Sequence, residues 1–247
     1  MWEILSNGEQ IEFTRSNIDE YLKKLAKRFR KLNGTKMPAE IVIIGEAAVL
    51  LNYDFRQKSQ DIDAIIQASS VMWEAINQIR EEEGLPNDWI NSDFRKTNSY
   101  FTNLRLYSKY CKTFSNIVEV RIISGEYLIA MKLMAGRQYK HDLSDVIGII
   151  AGEKEKGNNI TLEKIKLAVK NLYNDYEKIP ETSRVFIENI LNRIDSGDET
   201  VYDEFVNREK KNKETLLDFE RKYPNVLTGD NLADVLFAAE KKKSEQN

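Results

Sequence analysis

Two carboxylates separated by one residue are the first feature of this sequence that could do chemistry. Asp61 and Asp63 flank Ile62 in a stretch that is predicted to form a β-strand. Because side chains alternate along a strand, both aspartates project from one face while Ile62 points into the core behind them. Neighbouring carboxylates repel each other unless a cation lies between them, and oxygen ligands at this spacing suit Mg²⁺ or Mn²⁺. A pair of such ions can hold a nucleoside triphosphate and lower the pKa of an attacking hydroxyl group.

A glycine turn upstream of the aspartates is suited to bind phosphate. Gly45 ends the apolar run Ile41–Ile44 and opens a predicted helix. The turn leaves backbone N–H groups free at the positive end of the helix dipole, and glycine lets a phosphate approach the backbone closely. A polar lead-in that contains Arg56 and Ser59 joins this turn to the aspartates. The alternative interpretation is an ordinary strand–helix turn with two solvated acids at the edge of a sheet.

A third predicted strand, at residues 116–123, contributes another acid. Glu119 and Arg121 are two residues apart and share a face of this strand. If the strand pairs beside the strand of the aspartates, Glu119 could complete a metal triad or act as a general base. The alternative is a solvent-facing glutamate that pairs with Arg121.

A nearly all-apolar helix after this strand contains one lysine, Lys132. Its side chain must extend to solvent or face a polar cleft, where a phosphate or a carboxylate would be its partner. Arg137, Asp142 and Asp145 follow, and the two aspartates lie on one face of the next predicted helix. We expect these charges to form an internal salt-bridge cluster rather than to act directly in catalysis.

The elements that must position these residues alternate between strands and helices. Apolar residues at helical spacing predict a first helix over 16–32. Strands are predicted at 40–45, 61–66 and 116–123, and helices at 46–53, from the cap at Ser69 or Ser70 to Gly84, at 124–136 and at 141–152. This order predicts an α/β (α+β) fold in which helices flank a mixed sheet.

The chain changes character beyond the linker at residues 157–159, where apolar spacing indicates helices and no strand pattern remains. We therefore predict two domains: residues 1–152, with a core at 38–152, and an all-helical C-terminal domain at 158–247. The charges of the second domain are mixed in sign. This favours solvated helix faces over the weaker alternative of an RNA-binding module.

Composition excludes several classes of site. The chain has 247 residues, a formal charge of −3, one cysteine and one histidine, which excludes an internal disulfide and zinc sites of the HExxH type. No apolar run approaches the roughly 18 residues that cross a bilayer. The N-terminus has acids at Glu3, Glu9 and Glu12 and no apolar stretch, so it does not resemble a signal peptide. We expect a cytoplasmic protein with no membrane partner.

Together these motifs resemble the DNA polymerase beta-like nucleotidyltransferase superfamily, and more closely the minimal bacterial type related to AbiE abortive-infection toxins. The matching stretches are Gly45-Glu46-Ala47-Ala48, Arg56-Gln57-Lys58-Ser59-Gln60-Asp61-Ile62-Asp63, and Met131-Lys132-Leu133-Met134-Ala135-Gly136-Arg137 with Asp142 and Asp145. The resemblance implies the nucleotidyltransferase fold. It also implies catalytic and metal-binding roles for Asp61, Asp63 and Glu119, and nucleotide binding by Gly45, Glu46, Arg56, Ser59 and Lys132.

The family's reaction moves a nucleoside monophosphate from an NTP to a hydroxyl of RNA, protein or a small molecule, with Mg²⁺ or Mn²⁺ as cofactor. The implied partners are the NTP, an RNA or protein acceptor and, for a toxin, a cognate antitoxin. Glu46 stands where the family usually has Gly or Ser. It either faces away and stabilises the helix dipole, or weakens NTP binding, so the alternative function is a binding module without catalysis.

Overall fold

The computed structural model describes residues 11–35, 37–229 and 231–244. The outer limits of both predicted domains, and the acids Glu3 and Glu9 of the N-terminus, lie outside this part of the chain. Among the described residues, no helix combines the length and the apolar character needed to cross a membrane.

The structure confirms the predicted mixed α/β fold with a helical C-terminal part. Its strands are β1 (Ala39–Ile43), β2 (Ile62–Gln67), β3 (Ile90–Asn91), β4 (Ser108–Phe114) and β5 (Val118–Ile123). Its helices are α1 (Arg15–Asn33), α2 (Gly45–Asn52), α3 (Val71–Glu83), α4 (Gly125–Ala135), α5 (Asp142–Glu155), α6 (Leu162–Tyr173), α7 (Glu181–Asp195), α8 (Val201–Lys222) and α9 (Leu232–Ser244).

The strands form one sheet with the order β3-β2-β1-β5-β4. The central strand β1 runs parallel to β5 and antiparallel to β2, while β2 runs parallel to β3 and β4 antiparallel to β5. Ile41, Val42 and Ile43 of β1 are fully buried. A continuous apolar run of this kind is typical of a strand that is covered on both faces, and this explains its central place.

The edge strand β4 is an element that the sequence patterns missed. It joins β5 through the three residues 115–117, and the φ angles of 53° and 54° at Ser115 and Asn116 suit a tight hairpin. Five consecutive residues of β4, from Lys109 to Thr113, are exposed. The strand therefore lacks the alternation of apolar and polar residues by which strands are recognised, and the turn was its main signal in the sequence.

One hydrophobic core extends across the predicted domain boundary. The buried cluster that contains the strands also contains Val146 of α5, Ile165 of α6 and Phe205 of α8. The division of the chain into two domains stays a prediction. A second, smaller cluster lies between α8 and α9, where Leu216, Leu227, Leu232 and Leu236 are buried and Tyr139 packs against them.

Candidate active site

A cavity of about 560 Å³ lies beside the turn that follows β1. Its walls come from this turn, from the start of β2, from the irregular segment 86–99, and from α4 with the residues that lead into α5. The structure thereby brings together five of the eight residues to which the sequence assigned catalytic, metal-binding or nucleotide-binding roles. These are Gly45, Glu46, Asp61, Asp63 and Lys132.

The pairing of β1 with β2 places the glycine turn directly beside an aspartate. The backbone N–H of Ile44 donates to the carbonyl of Asp63 at 3.0 Å. Gly45 has a φ of +62°, and a Cβ atom added to it would lie 2.8 Å from Oδ2 of Asp63. Glycine is thus required twice, for the left-handed backbone and for the close approach of the carboxylate.

Substitution of Gly45 tests this arrangement. Gly84 is a matched control, since its φ is +65° but no atom lies within 4 Å of an added Cβ. Both Gly45→Ala and Gly84→Ala should lose about 1–2 kcal/mol of stability through backbone strain. Gly45→Ala should lose about 1–3 kcal/mol more because of overpacking against Asp63. Urea unfolding measures both variants, and equal losses would argue against the close contact.

The two aspartates project into the cavity while Ile62 between them is fully buried, as predicted. Nδ2 of Asn91 donates to Oδ2 of Asp61 at 3.0 Å. Burial and the neighbouring charge of Asp63 nevertheless raise the pKa of Asp61 to about 7. The pair therefore resists full ionisation in the metal-free protein, and a divalent cation between the carboxylates would relieve the repulsion.

The raised pKa of Asp61 predicts a pH dependence of stability. A carboxyl whose pKa is higher in the folded protein than in the unfolded chain favours folding below its unfolded pKa, and this contribution is lost as pH rises through the folded value. Stability of the metal-free protein should therefore fall by about 2–3 kcal/mol between pH 4 and pH 7 on account of Asp61. The difference in unfolding free energy between the wild type and Asp61→Asn, measured across this range, isolates the effect. A difference that does not vary with pH would contradict it.

Buried and half-buried cations also line the cavity. Nζ of Lys132 lies 2.7 Å from Oδ2 of Asp145 and 3.1 Å from Oδ1 of Asp142. Nε of Arg137 donates to Oδ2 of Asp142 at 2.7 Å. Burial alone would lower the pKa of Lys132, but the two aspartates outweigh it and raise that pKa, so the lysine stays charged. The predicted internal salt-bridge cluster is confirmed, and carboxylates are the partners of Lys132.

Glu46 lines the cavity, so it does not face away from the site as one of its two alternatives required. Burial opposes its ionisation, but Arg56 and Lys132 outweigh burial and lower the pKa of Glu46. Its Oε2 lies 3.7 Å from Nη1 of Arg56. Glu46 is therefore a negative charge beside Gly45 that a neighbouring arginine partly compensates.

Arg56 and Ser59 are not among the described residues that line the cavity. Nε of Arg56 donates to Oδ1 of Asp145 at 2.9 Å. Ser59 is 2% exposed, and its hydroxyl donates to the carbonyl of Asp61 at 2.9 Å. Both side chains support residues of the cavity, and their predicted contact with a nucleotide stays a prediction.

Glu119 is also absent from the described lining of the cavity. The condition for its predicted role was that its strand pairs beside β2, but β5 pairs with β1 and β4. Nη1 of Arg121 donates to Oε1 of Glu119 at 2.8 Å, which is the alternative that the sequence left open. At the cavity end of β5 stand Ile122 and Ile123, which supply no ligand for a metal ion.

The segment 86–99 is the part of the site that sequence reasoning missed. It contributes Asn91, which holds Asp61, and the acids Asp88 and Asp93. The segment carries no periodic pattern or motif, and β3 within it has two residues. With these residues, six carboxylates face three cations in the lining. They are Glu46, Asp61, Asp63, Asp88, Asp93 and Asp142 against Lys132, Arg137 and Lys140.

The five-stranded mixed sheet, its flanking helices and the cavity at the glycine turn define a protein of the nucleotidyltransferase fold. The chain belongs to the family described as nucleotidyltransferase of unknown function (DUF6036), whose sequence profile matches residues 20–184. The matched region contains all the lining residues of the cavity and stops before α8. None of the curated proteins and none of the solved structures compared with the chain matches it. The closer resemblance to AbiE toxins stays a prediction.

Proposed function

We propose that this protein transfers a nucleoside monophosphate from an NTP to a hydroxyl acceptor and that the reaction depends on Mg²⁺ or Mn²⁺. The observation that carries the proposal is the placement of Asp61 and Asp63 against the Gly45 turn within one cavity. A carboxylate pair beside a phosphate-binding turn is what a metal-bound triphosphate requires. We further propose that the acceptor is RNA or protein and that the protein is a toxin with a cognate antitoxin. Its proposed location is the cytoplasm.

The donor atoms of the site fit a magnesium ion that is shared with the nucleotide. Among the described residues, no three His, Cys, Asp or Glu side chains are grouped so as to hold a metal by themselves. Mg²⁺ in nucleotide sites is bound by one or two carboxylates together with phosphate oxygens and water, and Asp61 and Asp63 supply this number. When bound, the ion would neutralise phosphate charge and activate the attacking hydroxyl.

The charge balance of the cavity supports metal dependence. Because carboxylates outnumber cations in the lining, a bare triphosphate would be repelled. Lys132 and Arg137 line the same cavity and would stabilise the negative charge that develops on the leaving pyrophosphate. Their own carboxylate partners hold these two side chains in place, so they need little reorganisation when the charge develops.

A non-catalytic binding module is the second candidate, and the cavity-facing charge of Glu46 is the observation that favours it. An ionised glutamate beside the Gly45 turn opposes phosphate binding by simple repulsion. Arg56 compensates this charge in part, with Nη1 at 3.7 Å. If the protein is the enzyme, Glu46→Ser, which introduces a residue usual at this position in the superfamily that the sequence resembles, should therefore tighten NTP binding.

The two candidates differ in one experiment. The purified protein is incubated with each α-labelled NTP, Mg²⁺ or Mn²⁺, and both total RNA and cell protein, with EDTA as the metal-free control. Label on RNA or protein that depends on metal is the expected result and names the nucleotide and the acceptor class. Absence of transfer, together with no shift of the melting temperature by any NTP with Mg²⁺, would overturn the enzyme and leave the binding module.

A further inference from the structure

The loop between α4 and α5, residues 136–141, carries two of the cations that line the cavity. Arg137 and Lys140 both belong to the lining. The position of such cationic side chains decides how well they can bind the oxygens of a phosphate group. What fixes this loop therefore matters for nucleotide binding.

Two polar residues of α8 hold the backbone, one between these two cations and one just after the loop. Nδ2 of Asn212 donates to the carbonyl of Gln138 at 2.9 Å. Oε1 of Glu209 accepts the backbone N–H of Leu143 at 2.8 Å and that of Ser144 at 3.3 Å, and so caps the first turn of α5. Backbone N–H groups at the start of a helix have no partner within the helix, and an acceptor from elsewhere satisfies them.

These two residues are buried and lie on one face of α8. Glu209 is 1% exposed and Asn212 is 5% exposed. They are three residues apart, and Leu216, four residues further, belongs to the cluster against which Tyr139 of the loop packs. The buried face of α8 is thus polar at Glu209 and Asn212, which bind backbone groups, and apolar at Leu216, in the cluster that packs against the ring of Tyr139. Buried polar side chains of this kind are costly unless they are paired.

We propose that α8 fixes the 136–141 loop through Glu209 and Asn212, and that these positioning residues set the affinity of the cavity for metal-bound NTP. The inference rests on the proposed function. It assigns a role to a helix that lies outside the family match, which ends at residue 184. Neither residue lines the cavity, so both act through Arg137 and Lys140.

The test compares Glu209→Ala and Asn212→Ala with the conservative Glu209→Gln, whose amide oxygen can still accept the two N–H groups. Val201→Ala is the matched control, because Val201 is a buried residue of α8 in the main core. Calorimetry at a temperature where every variant is folded measures the Kd for each NTP with Mg²⁺. The alanine variants should weaken binding by about tenfold, the size typical for loss of a group that orients a ligand-contacting side chain. Glu209→Gln and Val201→Ala should bind as the wild type does.

Hydrogen exchange at the Leu143 and Ser144 amides separates this inference from the proposed function. Faster exchange in Glu209→Ala but not in Val201→Ala, together with weaker binding, would support the proposal. Wild-type affinity in both alanine variants would overturn it, whatever the exchange rates. If the wild type itself bound no NTP with Mg²⁺, the proposed function would fail and the nucleotide role of α8 with it, while the exchange rates would still report whether Glu209 holds the helix.

Discussion

Asp61→Asn and Asp63→Asn should each reduce metal-dependent nucleotidyl transfer by about a thousandfold or more, since the metal ion and its charge stabilisation act in the transition state. Asparagine keeps the size of the side chain but removes the negative charge that attracts the ion. Asp61→Asn should also leave the metal-free protein at least as stable at pH 8, because it removes a carboxylate that burial and Asp63 make costly to ionise. Initial rates of label transfer and thermal unfolding measure the two effects separately.

Two control substitutions test whether the loss of activity is specific to Asp61 and Asp63. Asp93 also lines the cavity but pairs with Lys96, with Oδ1 2.7 Å from Nζ, so Asp93→Asn should change the rate by no more than a few-fold. Glu119→Gln decides between the structure and the sequence-based triad. Its position beside Arg121 predicts nearly full activity. A thousandfold loss in Glu119→Gln, or wild-type rates in Asp61→Asn, would contradict the site described above.

Lys132→Met should destabilise the folded protein by about 3–5 kcal/mol, the loss that follows when one partner of a buried ion pair is removed. The lysine is 6% exposed and bridges Asp142 and Asp145, which are themselves 1% and 0% exposed. Methionine fills similar space but leaves Asp145 with Arg56 and Asp142 with Arg137 as their remaining cations. Urea unfolding without nucleotide measures the change.

The matched control is Lys170→Met, because Lys170 lies on α6 and is exposed. A surface substitution of this kind should stay within about 0.5 kcal/mol of the wild type. Equal stability of Lys132→Met and Lys170→Met would mean that the aspartates do not depend on the lysine for their charge balance. In that event Arg56 and Arg137 alone would balance the charges of Asp145 and Asp142.

The parts of the site that follow from local sequence were predictable. Alternation over three residues was enough to place Asp61 and Asp63 together, and an apolar run that ends in glycine was enough to locate the Gly45 turn. Lys132 stood out because a charged side chain in an otherwise apolar helix must reach solvent or a polar cleft. Each of these inferences uses residues that are neighbours in the chain.

The parts that depend on distant pairing were not predictable. The sequence identified the strand of Glu119 but did not order the strands, and the insertion of β1 between β2 and β5 keeps Glu119 away from the aspartates. The cap on α5 supplied by Glu209 joins residues far apart in the chain and has no local pattern. These features depend on which helices and strands pack against each other, and local patterns in a single sequence do not show this.

The order of the strands also has a consequence for biosynthesis. Central β1 must pair with β5, where Ile43 meets Ile122, before the sheet is complete. Contacts between such distant segments form slowly, because a long loop must close before any pairing compensates for the lost entropy. The cavity further needs Lys132 and Asp142, which a ribosome releases after all five strands. A nascent chain can therefore expose Asp61 and Asp63 early, but it cannot assemble the complete cavity until synthesis has passed the sheet and reached Asp142.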